Sequence, residues 1–274
     1  MKDLNFKSPP VWELGISVGL PAPGWFNPYD IRQIHDLFRR RFAVAERQPS
    51  FVAFQPFPVH ATAVSPRPVI QFEQSPDLNR WWFVSEDGSD LVQVQETFIA
   101  RNWRRLVPPP AASAPYPGFD AIFGDFRDIV ATAGQWSASR GESFPEPVVC
   151  ELLYENLIPT TAGDGTKLRA SEIIVPLNFD PPIFAGGMTL SWFEFVNPEQ
   201  KEGPFTLQVT IQFVGVPSPD GSGIMSVIKL SFAARSPCST WSGAFDFIEA
   251  AHQRLRQRLV DLTTDTVRAT WGQE

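Results

Sequence analysis

Cysteine and histidine are scarce in this chain of 274 residues, and each shortage excludes a class of site. The two cysteines, Cys150 and Cys238, cannot build a disulfide framework, and neither belongs to a CxxC motif. The three histidines, His35, His60 and His252, are scattered, so the chain has no zinc-ligand spacing. We therefore expect no metal site and no cofactor.

The chain also lacks the sequence marks of export, of membrane insertion and of duplex DNA binding. Its net charge is −7, whereas a protein that wraps duplex DNA normally has a basic balance. The N-terminal MKDLNFKSPP has no apolar signal-peptide core, and no apolar run approaches the ~20 residues of a membrane span. We expect a soluble cytoplasmic protein with reduced thiols and no membrane contact, and we rank nucleic acid last among its partners.

The catalytic motifs that are most visible in sequences are missing as well. The chain has no P-loop, no dinucleotide fingerprint, no HExxH and no GxSxG elbow. These absences remove the commonest mechanisms without excluding an enzyme. What the chain has is apolar bulk, with 23 Phe, 9 Trp and 43% hydrophobic residues, which is enough for a sizeable core.

Hydrophobic periodicity predicts an α+β fold with antiparallel sheets. Alternation predicts strands over 12–20, 148–158, 187–196, 205–214 and 224–234, and apolar stripes predict helices after Asn27-Pro28, after Gly118 and over 244–268. Proline breaks up residues 50–72 into edge strands and gives 107–117 polyproline character. The pattern indicates two similar halves, 1–144 and 145–274, packed as one compact unit with amphipathic helices covering one face.

The clearest local signal is a hairpin. Asp87-Gly88 suits a two-residue type I′ turn, which would pair Phe83 with Val92 and Trp81 with Val94 on the apolar face. The alternation continues through LVQVQETFIARNWRR, which predicts one strand from Leu91 to Arg104. Turn chemistry and hydrophobic pattern therefore agree on one register.

Polar residues on this predicted strand have two interpretations. Gln93, Gln95 and Thr97 either line a ligand cavity or a partner surface, or simply face solvent, as alternation places polar residues by default. Glu96 shares a side with Val92, Val94 and Phe98, so an extended strand would point it to the core and it would need a partner such as Arg101 or Arg104. It is then either a structural ion pair or a catalytic or binding carboxylate, unless a bulge turns it outward.

The strand ends in Asn102-Trp103-Arg104, which also has two interpretations. As an anchor, Trp103 packs under the proline-rich connector, Asn102 satisfies turn backbone, and Arg104 binds a carboxylate or carbonyls. In a functional interpretation, Arg104 is a fork that binds an anion. The arginine groups 39–41 and 254, 256, 258 are either solvated helix faces or phosphate contacts.

The second half offers a different set of candidates. Glu151 and Glu155 share one face of a strand about 13 Å apart, beyond the separation of glycosidase carboxylates. Tyr154 and Asn156 lie on the opposite face, where Asn156 is expected to help end the strand. His252 sits on the apolar stripe of the last helix, as either a hydrogen-bonded core residue or a functional one.

Several of these segments together resemble a sporadically distributed, uncharacterised bacterial family of about 260 residues. The resemblance is carried by WWFVSEDGSDLVQVQETFIARNWRR with its NWR ending, by the YP-initiated helix YPGFDAIFGDF, and by ELLYENLIP with Tyr154 and Asn156. It covers most of the chain, and the terminal helix with His252 fits it. The resemblance implies an accessory protein of mobile or defence-related loci and supplies no catalytic residue.

Three function hypotheses follow. The first is a non-catalytic binding or accessory protein, such as an immunity, antitoxin-like or defence-complex component, with a protein partner or self-association. The second is a small-molecule-binding protein or enzyme with a cavity between sheet and helices, where at least two of Glu96, Arg104, Tyr154 and His252 should converge. The third is nucleic-acid binding through the arginine groups.

Overall fold

The fold is α+β, built on one antiparallel sheet with helices packed against it. The computed structural model describes residues 6–22, 24–50, 79–106, 115–161, 166–175, 189–196, 204–218, 221 and 223–272. The strands are β1 Val11–Gly19, β2 Val44–Gln48, β3 Arg80–Val84, β4 Asp90–Gln95, β5 Phe98–Arg104, β6 Val149–Pro159, β7 Thr189–Val196, β8 Phe205–Pro217 and β9 Ile224–Pro237. The helices are α1 Ile31–Phe38, α2 Phe119–Ser139, α3 Ala170–Ile173, α4 Trp241–Leu262 and α5 Asp265–Thr270.

The nine described strands form a single sheet in the order β2-β3-β4-β5-β1-β6-β9-β8-β7. The first strand in sequence lies at the centre, where it pairs with β5 on one side and β6 on the other. Strands from both predicted halves therefore share one hydrogen-bonded sheet through β1. The predicted strands over 50–72 and most of the proline-rich connector lie outside the described residues.

Alternation along β1 assigns its two faces as predicted. Leu14, Ile16 and Val18 are fully buried on what we call the core face. Glu13 and Ser17 lie between them and point to the other side, which we call the open face. The pairing register carries this division through the central strands, so β1, β6, β8 and β9 present a mainly apolar core face and a mainly polar open face.

The helices pack on the core face. In α1, His35 stacks on Phe83 of β3. Phe119 of α2 and His252 of α4 stack their rings on each other, and His252 also hydrogen-bonds Tyr154 of β6. The predicted last helix over 244–268 is instead two helices, because α4 ends at Leu262 and a second capped start begins α5. None of the helices in the described part of the chain is long and apolar enough to span a membrane.

The predicted hairpin register is confirmed, although its turn is different. Phe83 pairs with Val92 and Trp81 with Val94. The turn is longer than the expected type I′ pair, since Gly88 N–H donates to the carbonyl of Ser85 and Gly88 then takes a positive φ of 74°. The register is the same because the longer loop is centred on the same two residues, Asp87 and Gly88. The hydrophobic pattern agrees with this register whichever turn joins the strands.

The expected strand from Leu91 to Arg104 is wrong. The chain turns at Glu96-Thr97, between β4 and β5, and the two strands pair with each other. The turn is held by distant backbone, since Leu20 N–H donates to Thr97 O and Trp25 N–H to Glu96 O. Gly24 approaches so closely that a Cβ there would lie 1.9 Å from the Glu96 carbonyl oxygen.

Candidate functional site

The structure divides the predicted site residues between the two faces of the sheet. The open face carries Asn102, Arg104, Gln93 and Gln95, with Glu96 in the turn at the end of β4; the core face carries Trp103, Tyr154 and Asn156, with His252 opposite on α4. No single site collects all nine. Instead, each face holds its own cluster of polar groups.

On the open face a continuous row of hydrogen bonds crosses four strands. The indole N–H of Trp82 donates to Gln93 Oε1 at 2.9 Å, and Gln93 Nε2 donates to Asn102 Oδ1 at 2.9 Å. Asn102 Nδ2 in turn donates to Glu13 Oε1, also at 2.9 Å. Asn102 was expected to satisfy turn backbone, but it bonds side chains on β4 and β1 instead.

The row continues electrostatically onto β6 and β9. Burial raises the pKa of the Glu13 carboxyl, and the carboxylate of Glu155 raises it further. Glu155 itself is paired with Lys229 at 2.7 Å. Further along the same face Glu151 forms an ion pair with Arg235. These two ion pairs neutralise Glu155 and Glu151 within the sheet, as expected of an architectural network.

Arg104 and Glu96 are not partners, because they lie at opposite ends of β5. Arg104 Nε donates to the carbonyl of Gly88 at 3.2 Å, and its guanidinium lies over the ring of Trp82. Gln95 Nε2 donates to Thr97 within the β4–β5 turn. Trp103 packs from the core face against Tyr116. These contacts support the anchor interpretation of the NWR ending.

The core face holds a cavity of about 400 Å³ between β6, the start of α2 and the middle of α4. We call it the helix-side cavity. Its polar lining comes from Lys7, Tyr116, Asp120, Tyr154, Asn156, His252, Gln253 and Arg256, and its apolar lining includes Phe6, Val11, Phe119, Phe232, Leu255 and Leu259. This mixture of aromatic walls and a few polar groups is typical of small-molecule sites.

Three aromatic side chains form a hydrogen-bonded chain along one wall of the cavity. The hydroxyl of Tyr154 is 2.8 Å from His252 Nδ1, and the hydroxyl of Tyr116 is 3.4 Å from that of Tyr154. The imidazole also stacks on Phe119, with ring centres 3.8 Å apart. His252 Nδ1 is therefore engaged, and the ring plane is fixed by its neighbours.

All three groups are held in their neutral forms. Burial, and then the charge of Arg256, lower the pKa of His252 to about 3. Burial raises the pKa of Tyr116 to about 12 and raises that of Tyr154 well above its usual value. Near neutral pH these three side chains therefore present two hydroxyl groups and a neutral imidazole, and none of the three is charged.

Asn156 also lines this cavity, and its buried Oδ1 is an unsatisfied acceptor. Its Nδ2 donates to the backbone carbonyl of Leu230 at 3.1 Å, which fixes the orientation of the amide. Its Oδ1 accepts no hydrogen bond from the described residues, although the residue is only 1% exposed. The expectation that Asn156 ends its strand is wrong, since β6 continues to Pro159.

Sequence reasoning missed several members of both clusters. Tyr116 and Phe119 were assigned only to the start of the second helix, and Arg256 to an arginine group. The buried charge was predicted at Glu96, whereas the fully buried charged side chain of this region is Arg101, paired with Asp90 and Asp125. For Phe119 the sequence did offer a signal, because its place on the apolar stripe of a helix indicates that it packs against the sheet.

The remaining candidates have structural partners. The arginine groups are largely ion-paired, Arg41 with Asp90 and Asp125, and Arg258 and Arg254 with Glu194. Cys150 Sγ donates to the carbonyl of Ser236 at 3.6 Å, and the proximity of Cys150 lowers the pKa of Cys238. Across the described ranges, no group of three His, Cys, Asp or Glu side chains is arranged to hold a metal ion.

Comparison of the chain with protein-family models finds no match. Comparisons with curated proteins and with solved structures likewise find no significant similarity. The helix-side cavity and the open-face network are therefore interpreted from their own geometry.

Proposed function

We propose that this protein is a non-catalytic binding protein whose ligand is a small molecule held in the helix-side cavity. The observation that carries the proposal is the aromatic-walled cavity itself, along one wall of which the side chains of Tyr116, Tyr154 and His252 are held by hydrogen bonds. The volume of about 400 Å³ fits a compound of one or two rings.

Two of the four residues expected to converge in a cavity, Tyr154 and His252, do so. Their chemistry favours binding over acid–base catalysis, because a proton-transfer residue works best with a pKa near the operating pH. His252, with a pKa of about 3, and Tyr116, with one of about 12, are both far from neutrality. They are suited to orient a ligand by hydrogen bonding and stacking.

The test is a screen of small aromatic and heteroaromatic compounds by saturation-transfer NMR. We expect a subset to bind the wild type and to lose binding in Gln253→Trp, because Gln253 is an exposed side chain of α4 at the mouth of the cavity. Bound compounds should be recovered chemically unchanged by mass spectrometry.

The matched control is Gln257→Trp, one turn further along α4 and outside the cavity lining. It should bind the same compounds as the wild type. If no compound binds the wild type, or if both tryptophan variants bind equally well, the helix-side cavity is not the binding site.

A second candidate function is self-association along β7, the outermost strand of the described sheet beyond β8. Phe193 and Phe195 on the open-face side of this strand are 46% and 57% exposed, and exposed apolar edge strands pair with other chains. We expect light scattering to show dimers at micromolar concentrations that Phe193→Ser with Phe195→Ser abolishes. Ile224→Ser, at an exposed residue away from β7, is the control. A wild type that stays monomeric at about 100 μM would reject this function.

A further inference from the structure

The two cysteines of the chain lie together at one end of the core face, although they are far apart in sequence. Cys150 of β6 is directly opposite Ser236 of β9, and its Sγ donates to the carbonyl of Ser236. The backbone N–H of Cys238 donates to the carbonyl of Val148 at 3.2 Å, so the same register continues to Cys238. The period of two then places both thiols on one side of the sheet, and both pack against the hydrophobic core.

This register makes the two cysteines diagonal neighbours on adjacent antiparallel strands. Diagonal positions lie about 7–8 Å apart between Cα atoms, and a disulfide spans Cα separations of up to roughly 6.8 Å. A shift of about 1 Å closes the difference. Cys238 lies just beyond Pro237, the last residue of β9, where such a shift disturbs only the end of the ladder. The two thiols already influence the pKa of each other.

The two thiols differ in access and in reactivity. Cys150 is 0% exposed, and burial raises its pKa, so it stays a protonated thiol. Cys238 is only half-buried, and the proximity of Cys150 lowers its pKa. The thiolate is the nucleophilic form of cysteine, and an accessible cysteine of low pKa beside a second cysteine is the arrangement found in redox sensors.

We propose that Cys238 and Cys150 form a peroxide-sensitive pair that closes to an intramolecular disulfide, with hydrogen peroxide as the oxidant. The Cys238 thiolate attacks one peroxide oxygen and the O–O bond breaks, which gives Cys238 sulfenic acid and a hydroxide that is protonated to water. The sulfur of Cys150 then attacks the sulfenic sulfur, its proton joins the departing hydroxide, and a second water leaves as the S–S bond forms. The two sulfurs together lose two electrons, which reduce the peroxide.

The composition of the chain makes the product unambiguous. Cys150 and Cys238 are its only cysteines, so one intrachain disulfide is possible. Neither cysteine belongs to the described lining of the helix-side cavity, so this redox site and the proposed small-molecule site are tested independently.

The experiment exposes the full-length reduced protein to a small molar excess of hydrogen peroxide. We expect the intact mass to fall by two hydrogen atoms and both thiols to become unreactive towards a maleimide after denaturation. Digestion without reductant should yield a cross-linked peptide pair that contains Cys150 and Cys238, and dithiothreitol should restore both thiols. This mapping uses the wild type alone and does not depend on the folding of a variant.

Two single-cysteine variants test the order of the steps. In Cys150→Ala the sulfenic acid of Cys238 has no resolving partner, so dimedone should trap it, whereas in the wild type disulfide formation should outrun the trap. In Cys238→Ala the remaining buried thiol should be lost at least about tenfold more slowly than the thiol of Cys150→Ala, because burial keeps it protonated and inaccessible. Circular dichroism on both variants checks that each retains the fold.

Other outcomes would overturn the proposal. A wild type that keeps both thiols, that forms only a disulfide between two chains, or that accumulates Cys238 sulfinic acid while Cys150 stays reduced has no functional thiol pair. Equal rates of thiol loss in the two folded variants would show that Cys238 is not the attacking cysteine.

Discussion

Arg101→Met should lower the free energy of unfolding by about 3 kcal/mol in urea denaturation. Arg101 is 0% exposed on the core face of β5, where its guanidinium pairs with Asp90 and with Asp125. Methionine fills most of the volume but removes the charge. Two carboxylates that are mostly withdrawn from water then lose their buried counter-ion, and this loss exceeds what the apolar replacement gains.

The matched control is Arg41→Met. Arg41 contacts the same two carboxylates, at 3.2 Å from Asp90 and 2.7 Å from Asp125, but its side chain is 49% exposed. Solvent screening should limit the cost of its removal to less than about 1 kcal/mol. An Arg101→Met protein no less stable than Arg41→Met would show that the buried ion pairs contribute no net stability.

Much of the fold follows from alternation along the strands. In β1, β3 and β6 the period of two assigns the faces, and the structure agrees for Leu14, Phe83 and Tyr154. Local pattern determines these faces because one side of each strand is buried and the other carries polar residues. The similarity of the two halves remains a prediction, because strand order and face assignment do not by themselves establish a duplication.

The error at Glu96 has a physical cause outside the local sequence. Residues 91–104 alternate without Gly, Pro or an Asn-Gly pair, so nothing local indicates a turn. The turn is selected by backbone from the region after β1, where Gly24 has no side chain to prevent the approach of Trp25 to the Glu96 carbonyl. Such contacts depend on the tertiary arrangement and are invisible to periodicity.

The helix-side cavity was predictable in its parts and not in its assembly. Alternation placed Tyr154 and Asn156 on one face, and the helical stripe placed His252 on the core side of the last helix. That Tyr154 contacts a residue 98 positions away depends on the strand order, which sets α4 across β6. The unsatisfied oxygen of Asn156 depends on its bond to Leu230 in the next strand, which the sequence cannot indicate.

His252 should make the protein lose stability as the pH falls from about 6.5 to about 3. The folded imidazole has a pKa of about 3, because burial and the charge of Arg256 disfavour its protonated form, whereas the unfolded imidazole has a pKa of 6.5. Below pH 6.5 protons therefore bind the unfolded chain first. The contribution is fully present above pH 6.5 and is lost completely near pH 3, and it amounts to at most about 5 kcal/mol.

His252→Gln isolates this effect, since acid also protonates carboxylates in both proteins. Glutamine can still hydrogen-bond the Tyr154 hydroxyl but does not titrate. At pH 7 it should cost about 1–2 kcal/mol through lost stacking on Phe119. As the pH falls towards 4 its unfolding free energy should approach and then exceed that of the wild type. Parallel curves for the two proteins would mean that the folded imidazole accepts a proton as readily as the unfolded one. The neutral hydroxyl–imidazole chain of the helix-side cavity would then not exist under acidic conditions, and any ligand preference measured there would belong to a charged site.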